Sequence, residues 1–370
     1  MSLTVCKFGG SSLADAGMFA RVKQILESDA ARRYIVVSAP GARFPGDEKI
    51  TDMLYRAHSA IRSEDQSILA DILARYAKIR DTLVPDFDLE SEFARLREDL
   101  CLSSDYAASR GEYLCAKLFS AYANLPFVDA AELFFFGADG TIDMETTTQA
   151  VRRKLLPLER AVVPGFYGAM KGGGVRTFAR GGSDVSGALL AAAVGADLYE
   201  NWTDVDGLFT ADPSLVSNTV RNLAVSTEQM ERICAAGAKL LHPDALLPLR
   251  GTGIDTLLKN TFSPDAPGTR VREFYPFPVR CVTGKPTLYL CNPPDAHSAP
   301  RMSATPLSNA IRVCSVCAFG LTEAQIRRVA REMKPIHIIH MQDHIQIILP
   351  EREYSDTIRA VHAILMENAI

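Results

Sequence analysis

The sequence predicts an α/β protein: a doubly wound sheet of mainly parallel strands, followed by a small α+β unit. Three observations carry this. Leu3-Thr-Val-Cys-Lys-Phe8 is a short apolar strand pattern that runs into Gly9-Gly10-Ser11-Ser12 and then an amphipathic helix containing Phe19, Val22, Ile25 and Leu26. The same grammar returns at Arg33-Tyr-Ile-Val-Val-Ser-Ala-Pro-Gly41, where an uninterrupted apolar run suits a parallel strand buried on both faces. After Pro276 the composition shifts: prolines cluster at Pro276, Pro278, Pro286, Pro293, Pro294, Pro300 and Pro306, and the glycine-loop grammar stops. We therefore expect two domains, 1–278 and 279–370, in keeping with a length of 370 residues.

In chain order, Asp52 to Phe119 reads as a mostly helical excursion, with charged residues spaced between Leu, Ile and Tyr. Strand signals resume at Pro126-Phe-Val-Asp129, Ala161-Val-Val-Pro-Gly-Phe-Tyr-Gly168 and Asp197-Leu-Tyr-Glu-Asn-Trp-Thr-Asp204, with an Ala-rich helix Gly187–Val194 between the last two. Beyond residue 278, Ile311–Phe319 reads as strand, Thr322–Glu332 as helix, Ile336–Met341 with His344–Leu349 as a hairpin, and Tyr354–Met366 as helix. That unit has βαββα order.

Bulk properties narrow the function. Hydrophobic residues are 47% and charged residues 23%, an ordinary globular composition, so a core can form without staples. Lys plus Arg (40) nearly balance Asp plus Glu (44) and no basic stripe is present, so nucleic acid is not an expected partner. The N-terminus lacks a basic segment followed by an apolar run, and nowhere do 18 uncharged apolar residues follow one another. No signal peptide and no membrane partner are expected, and the location is read as cytoplasmic. The eight cysteines are scattered through apolar runs, as free thiols in a reducing compartment are. Cys314 and Cys317 form a C-x-x-C upstream of His337, His340 and His344. Structural zinc sites show two tight ligand pairs, however, and both segments read as plain strands, so no metal site is assigned.

Four glycine-containing segments stand at predicted strand ends: Lys7-Phe-Gly-Gly-Ser-Ser12, Pro164-Gly-Phe-Tyr-Gly168, Arg180-Gly-Gly-Ser-Asp184 and Thr203-Asp-Val-Asp-Gly207. Glycine lets backbone N–H groups approach phosphate oxygens, and a helix starting just afterwards adds its partial positive charge. Both Gly9-Gly10 and Gly181-Gly182 precede predicted helices. Neither segment is G-x-x-x-x-G-K-[ST] or G-x-G-x-x-G, which excludes a Walker loop and a dinucleotide fold.

Lys7-Phe-Gly-Gly-Ser-Ser12 and Arg180-Gly-Gly-Ser-Asp184, with Val36-Val-Ser-Ala39, Lys49-Ile-Thr-Asp52, Ser109-Arg-Gly-Glu112, Trp202-Thr-Asp-Val-Asp-Gly207 and Lys239-Leu-Leu-His-Pro243, resemble the ordered motif set of the aspartate kinases, in the amino acid kinase superfamily. The resemblance covers about residues 1–275. It implies an αβα sandwich around a mainly parallel sheet, and transfer of the γ-phosphate of ATP to the side-chain carboxylate of L-aspartate. Relatives acting on other carboxylates or nucleotides share the lysine–glycine loop, and a catalytically silent regulatory subunit is the reading from another class.

The chemistry can be weighed on its own terms. A carboxylate of pKa near 3.9 is ionised at neutral pH, so no general base is needed. What must be overcome is repulsion between an anionic nucleophile and a polyanionic triphosphate, which calls for lysines, backbone N–H groups and Mg²⁺. Lys7, at a strand end beside Gly9, Gly10 and Ser11, is the first cation expected on the phosphates. By the resemblance Lys239 is the second. Arg180 offers a planar fork for the substrate α-carboxylate. Glu112 either pairs with the α-ammonium or holds Arg180, and Asp184 either orients Lys7 and Lys239 or contacts the ammonium. Ser38, Thr51 and Ser183 match substrate-side positions. Thr203, Asp204, Gly207 and Phe209 match the nucleotide side. Phe209 replaces a frequent tyrosine and Ser214 a frequent arginine, which leads us to expect a raised KM for ATP.

Regulated members of that family carry two ACT modules after the catalytic domain, whereas only the 92 residues 279–370 follow position 278 here. One ACT-like unit is expected, completed by Pro286-Thr-Leu-Tyr-Leu-Cys291 as its missing strand. Its open edge suggests a homodimer formed partly through residues 279–370. Ala318-Phe-Gly-Leu-Thr322 keeps only Gly320 of the usual effector loop, so inhibition by lysine or threonine is expected to be weak or absent.

Overall fold

A computed structural model describes residues 2–60, 67–178, 181–291, 301–303, 311–350 and 353–367. The chain forms two compact units, Met1–Asp206 with Asp244–Glu273, and Gly207–Pro243 with Phe274–Ile370. This division differs from a single boundary near residue 278. Gly207–Pro243 groups with the C-terminal segment because its backbone is tied there: Val282 N–H donates to Thr210 O (2.8 Å), and Arg359 Nε to Leu215 O (3.0 Å).

The first unit runs β1 (Thr4–Phe8), α1 (Ala16–Glu27), β2 (Arg32–Val37), α2 (Ile50–Ser59), α3 (Ser67–Leu83), α4 (Leu89–Asp99), α5 (Ser104–Ala123), β3 (Phe135–Phe136), α6 (Met144–Leu155), β4 (Ala161–Pro164), β5 (Tyr167–Met170), β6 (Val175–Thr177), α7 (Gly182–Val194) and β7 (Leu198–Thr203). The second unit supplies β8 (Ala224–Ser226) and α8 (Thr227–Ala236). The chain then returns to the first for β9 (Asp255–Asn260) and β10 (Thr269–Arg272). The second unit ends with β11 (Cys281–Cys291), β12 (Arg301–Ser303), β13 (Ile311–Phe319), α9 (Glu323–Met333), β14 (His337–His340), β15 (His344–Pro350) and α10 (Tyr354–Met366).

Strands of the first unit lie in the order β4-β2-β1-β7-β9-β10, parallel except for β10. Alternation assigns their side chains. Cys6, Phe8, Ile35 and Val37 enter a core with Phe19, Tyr76 and Phe119 of α1, α3 and α5, whereas Val5, Tyr34, Val36 and Tyr199 enter a second core with Leu189 and Leu190 of α7. Burial on both faces is why these strands read as unbroken apolar runs. The helical excursion is α2 to α5, as expected.

Two strand readings change. Pro126–Asp129 makes only an isolated bridge between Phe127 and Val162, because Asp129 already caps the turn Ala130–Glu132 through Ala131 N. The run from Ala161 to Gly168 breaks into β4 and β5 at Phe166, whose φ of 77° interrupts extended backbone. The α7 helix begins at Gly182 rather than Gly187.

A carboxylate is buried within this sheet beside a partner of opposite charge. Glu200 of β7 accepts Arg32 Nε (2.8 Å) and Trp202 Nε1 (2.9 Å), and Arg32 stacks over Trp202 at 5.2 Å. Removing one partner of a buried pair leaves an uncompensated charge, typically costing about 3–5 kcal/mol. Arg32→Met is therefore expected to lower urea stability at neutral pH by about that much. A loss below about 1 kcal/mol would mean that the pair behaves like an exposed one.

In the second unit β12-β11-β13-β15-β14 form an antiparallel sheet. Val329 of α9 and Ile358, Val361 and Leu365 of α10 bury Cys314, Val316, Ala318, Ile345 and Ile347. The βαββα reading matches β13 through α10 to within two residues, and the Pro286–Cys291 segment lies in β11, antiparallel to β13. Cys314 and Cys317, three apart on a strand, point to opposite faces and cannot share one metal ion. No helix among the described residues is long and apolar enough to cross a membrane.

Candidate active site

Strand parity places Lys7. It shares the face of Val5 and so points toward α7, where its Nζ lies 2.5 Å from Asp184 Oδ1. Both side chains are largely buried. Asp184 also accepts Asn201 Nδ2 (3.0 Å), and its backbone oxygen accepts Tyr199 OH (3.1 Å). Gly187 makes the approach possible: a Cβ there would stand 2.7 Å from Tyr199 OH and 3.0 Å from Lys7 Cβ. The helix can thus lie against β1 closely enough for its first turn to hold the ammonium.

The two glycine loops differ from expectation in one respect. Gly181, in the left-handed region at φ 75°, caps α7, so the N-terminus of that helix does open on the site. Gly9-Gly10 leads instead into a 3-10 turn, Gly10–Leu13, and α1 starts only at Ala16, capped by Asp15 through Met18 N (2.9 Å). At the first loop the backbone donors are therefore loop amides rather than a helix end.

Above this pair opens a cleft of about 510 Å³. Of the residues singled out in the sequence, it brings together Lys7, Gly9, Gly10 and Ser11 with Ser38, Thr51 and Glu112, and with Ser183, Asp184, Thr203 and Asp204. Arg180 lies outside the described residues. Gly207, Phe209 and Lys239 belong to the second unit, where Arg221 stacks over the Phe209 ring at 5.1 Å and Lys239 follows the end of α8. The cleft is also lined by Pro40, Gly41, Ala42, Lys49 and Phe166, none of which was assigned a role. The small-residue run Ala39-Pro-Gly41 and the Pro164-Gly-Phe166 segment were the available signals.

Glu112, on α5, is 4% exposed. Burial pushes its carboxyl up to about 8, against the opposing pull of a backbone hydrogen bond with Ala39 and the charges of Lys7 and Arg110. Its Oε2 is enclosed and has no hydrogen-bond partner. An unpaired buried acceptor on the wall of a cleft is costly unless something cationic comes to meet it.

A cleft with a buried lysine–aspartate pair, amide-rich glycine loops at strand ends and a helix N-terminus suits a polyanionic substrate. Residues 2–260 match the model of the amino acid kinase family. The chain belongs to the amino acid kinase family. Within it, aspartokinase 3 of Bacillus subtilis (strain 168) is 35% identical over 290 residues, covering 73% of this chain and 63% of that protein. The chloroplastic aspartokinase 1 of Arabidopsis thaliana is 31% identical over 301 residues, covering 73% and 52%. The chain thus spans less than two thirds of the length of these curated relatives. Among solved structures, the aspartate kinase of Clostridium acetobutylicum superposes with a TM-score of 0.87 at 28% identity, over 98% of this chain and 100% of that one. Aspartokinase III of E. coli, in complex with aspartate and ADP, shares the fold at 21% identity and a TM-score of 0.81.

Proposed function

We propose that this chain is an aspartate kinase, transferring the γ-phosphate of ATP to the side-chain carboxylate of L-aspartate to give 4-phospho-L-aspartate, an entry step to amino-acid biosynthesis. The observation that carries the reading is a cleft whose floor holds the Lys7 ammonium, fixed by Asp184, and whose wall holds a buried carboxyl (Glu112) with one unpartnered oxygen, a pairing that fits a triphosphate beside an α-amino acid. The similarity to aspartokinases supports the choice of acceptor.

In this reading Lys7 and Lys239 neutralise the β- and γ-phosphates, and the amides of Gly10 and Ser11 cradle them in the loop that Gly9 opens, its own N–H being held by Trp202 O. Asp184 orients the Lys7 ammonium, and Arg180 pairs with the substrate α-carboxylate. Glu112 receives the α-ammonium, while Ser38, Thr51 and Ser183 complete the acceptor side. Thr203, Asp204, Gly207 and Phe209 serve the nucleotide. The acceptor carboxylate is its own nucleophile, so the residues position and neutralise rather than move a proton.

Among the described residues no three His, Cys, Asp or Glu side chains gather into a metal cage. Mg²⁺ needs none, being held by substrate phosphates and one or two carboxylates, and Asp184 and Asp204 line the cleft. Entering with the nucleotide, Mg²⁺ would supply charge neutralisation on the phosphates. The free thiols of the described cysteines fit a cytoplasmic setting. The exposed edge strand β14 fits a homodimer through residues 279–370.

The test is an ATP-dependent hydroxamate assay with L-aspartate, run in parallel with L-glutamate and N-acetylglutamate. Aspartyl hydroxamate alone is the expected product. Product from another carboxylate in preference, or none from aspartate, would overturn the reading.

A further inference from the structure

The segment that lines the acceptor side of the cleft is held from behind by a residue that does not itself line the cleft. Arg75, on α3, is 8% exposed and lines no part of the cleft. Its guanidinium spans the loop between β2 and α2. Nη2–H donates to Gly41 O and Nη1–H to Glu48 O, each at 2.6 Å, and Nη2 lies 3.6 Å from Asp47 Oδ2. Asp47 in turn receives the Arg43 backbone N–H (2.9 Å) and its guanidinium (2.8 and 2.9 Å), which closes the loop on itself. Both ends of the loop are therefore fixed to α3 by one planar fork.

What the fork holds is the cleft wall. Gly41 N–H donates to Gly10 O (2.8 Å), and a Cβ on Gly41 would stand 2.5 Å from Gly10 C, so the two loops cross in direct contact. Two residues earlier, Ala39 makes the backbone hydrogen bond with Glu112. Ser38 and Pro40 line the cleft before the first clamped residue, Ala42 lines it between the two, and Lys49 and Thr51 line it after the second.

Arg75 is also an expensive choice for a structural filler. Its neighbours on α3, Ile72, Tyr76 and Ile79, are buried and apolar, burial lowers the pKa of its guanidinium, and its enclosed Nε has no hydrogen-bond partner. An apolar residue of similar volume would cover the same helix face without desolvating a cation. Only the two-pronged donor reaches both carbonyls.

We propose that Arg75 is a positioning residue that sets the acceptor side of the cleft by clamping Gly41 and Glu48. The inference rests on the aspartate kinase reading for the identity of the acceptor. Lysine keeps the charge but offers one compact ammonium in place of the fork, so Arg75→Lys releases one end of the loop. Because a displacement of about 1 Å at a substrate-positioning group can change rates on the order of 10²-fold, the KM for L-aspartate is expected to rise about tenfold or more. The Gly9–Ser12 loop meets Gly41 through Gly10 O, but it is also held by Gly9 N–H to Trp202 O (3.0 Å) and Ser12 N–H to Gly9 O (3.0 Å), bonds that do not involve Arg75 or Gly41, so the KM for ATP should change much less, by about twofold at most.

The experiment uses the full chain, with Arg75→Lys and Arg75→Gln compared with wild type for kcat and both KM values, and a second readout independent of activity. Trypsin should cleave faster after Arg43 in the variants, because that arginine sits in the clamped loop beside the exposed Phe44. A selective rise in the KM for aspartate together with faster cleavage supports the clamp. Unchanged KM with unchanged cleavage, or equal rises in both KM values, overturns it. Should the wild-type chain form no aspartyl hydroxamate, the functional reading falls, while the cleavage rates still report on the clamp. Equal cleavage rates would then overturn it.

Discussion

Lys7→Ala is expected to lower kcat by about 10²-fold or more while leaving the fold intact. The size follows from where the ammonium sits. Lys7 is largely buried, held 2.5 Å from Asp184, and faces the cleft from the end of a central strand. Charge that is preorganised and shielded from water is worth far more to a transferring phosphoryl group than charge in solution, and it demands no reorganisation as the reaction proceeds. The Lys7 side chain also fills space against Gly187, but alanine leaves the β1 backbone ladders to β2 and β7 in place. Asp184 keeps its Asn201 donor. Asp184 is nonetheless left without its cation, so the melting temperature should fall, as for the Arg32 pair, and the loss of turnover is read on protein shown by circular dichroism to be folded at the assay temperature. Single-turnover and steady-state rates at saturating ATP and aspartate measure the effect, and retention of wild-type kcat would remove Lys7 from the catalytic machinery.

Much of this site was legible because the residues that build it break local rules in a readable way. A lysine inside an apolar run, followed by paired glycines, is costly unless its charge is used, and parity alone sends Lys7 to the α7 face. The Gly181-Gly182 pair likewise marked a helix to follow, and Gly181 does cap α7 at positive φ. What was hidden depends on distant contacts. Nothing near Gly207 shows that this segment groups with the C-terminal strands, because the deciding hydrogen bonds reach Val282 and Arg359. Nothing near Arg75 shows that its fork will close on Gly41, 34 residues earlier. Phe166 carries no sequence mark of its left-handed backbone, since aromatic residues rarely adopt it. The Asp15 cap before α1 was readable, and the pull of the Gly9-Gly10 pair as a phosphate signal obscured it.

Glu112 is the group whose titration should be visible in the kinetics. Burial raises its carboxyl to about 8, so at pH 7 only about a tenth of free enzyme molecules carry the anion. In the proposed reading the α-ammonium of aspartate meets that anion. The kcat/KM for aspartate, which reports the free enzyme, should then rise with pH through about 8 and level off above it. Glu112→Gln cannot become anionic, so its kcat/KM should lose that rise. The missing charge-assisted hydrogen bond, of about 1.5–3 kcal/mol, predicts a KM for aspartate about 10- to 100-fold higher at pH 8.5. Stability should move in the opposite direction. An unfolded glutamate loses its proton near 4.5, whereas the folded one keeps it to about 8. Between those values the native state binds more protons, so wild-type stability falls as pH rises through that window and is flat above it. The glutamine variant is spared this loss, and its Tm relative to wild type should be higher at pH 9 than at pH 5. A single substitution that weakens substrate capture while stabilising the fold at alkaline pH is the signature of a carboxyl kept buried for binding. A pH-independent kcat/KM for aspartate in the wild type, or a glutamine variant with unaltered KM, would assign Glu112 to structure instead.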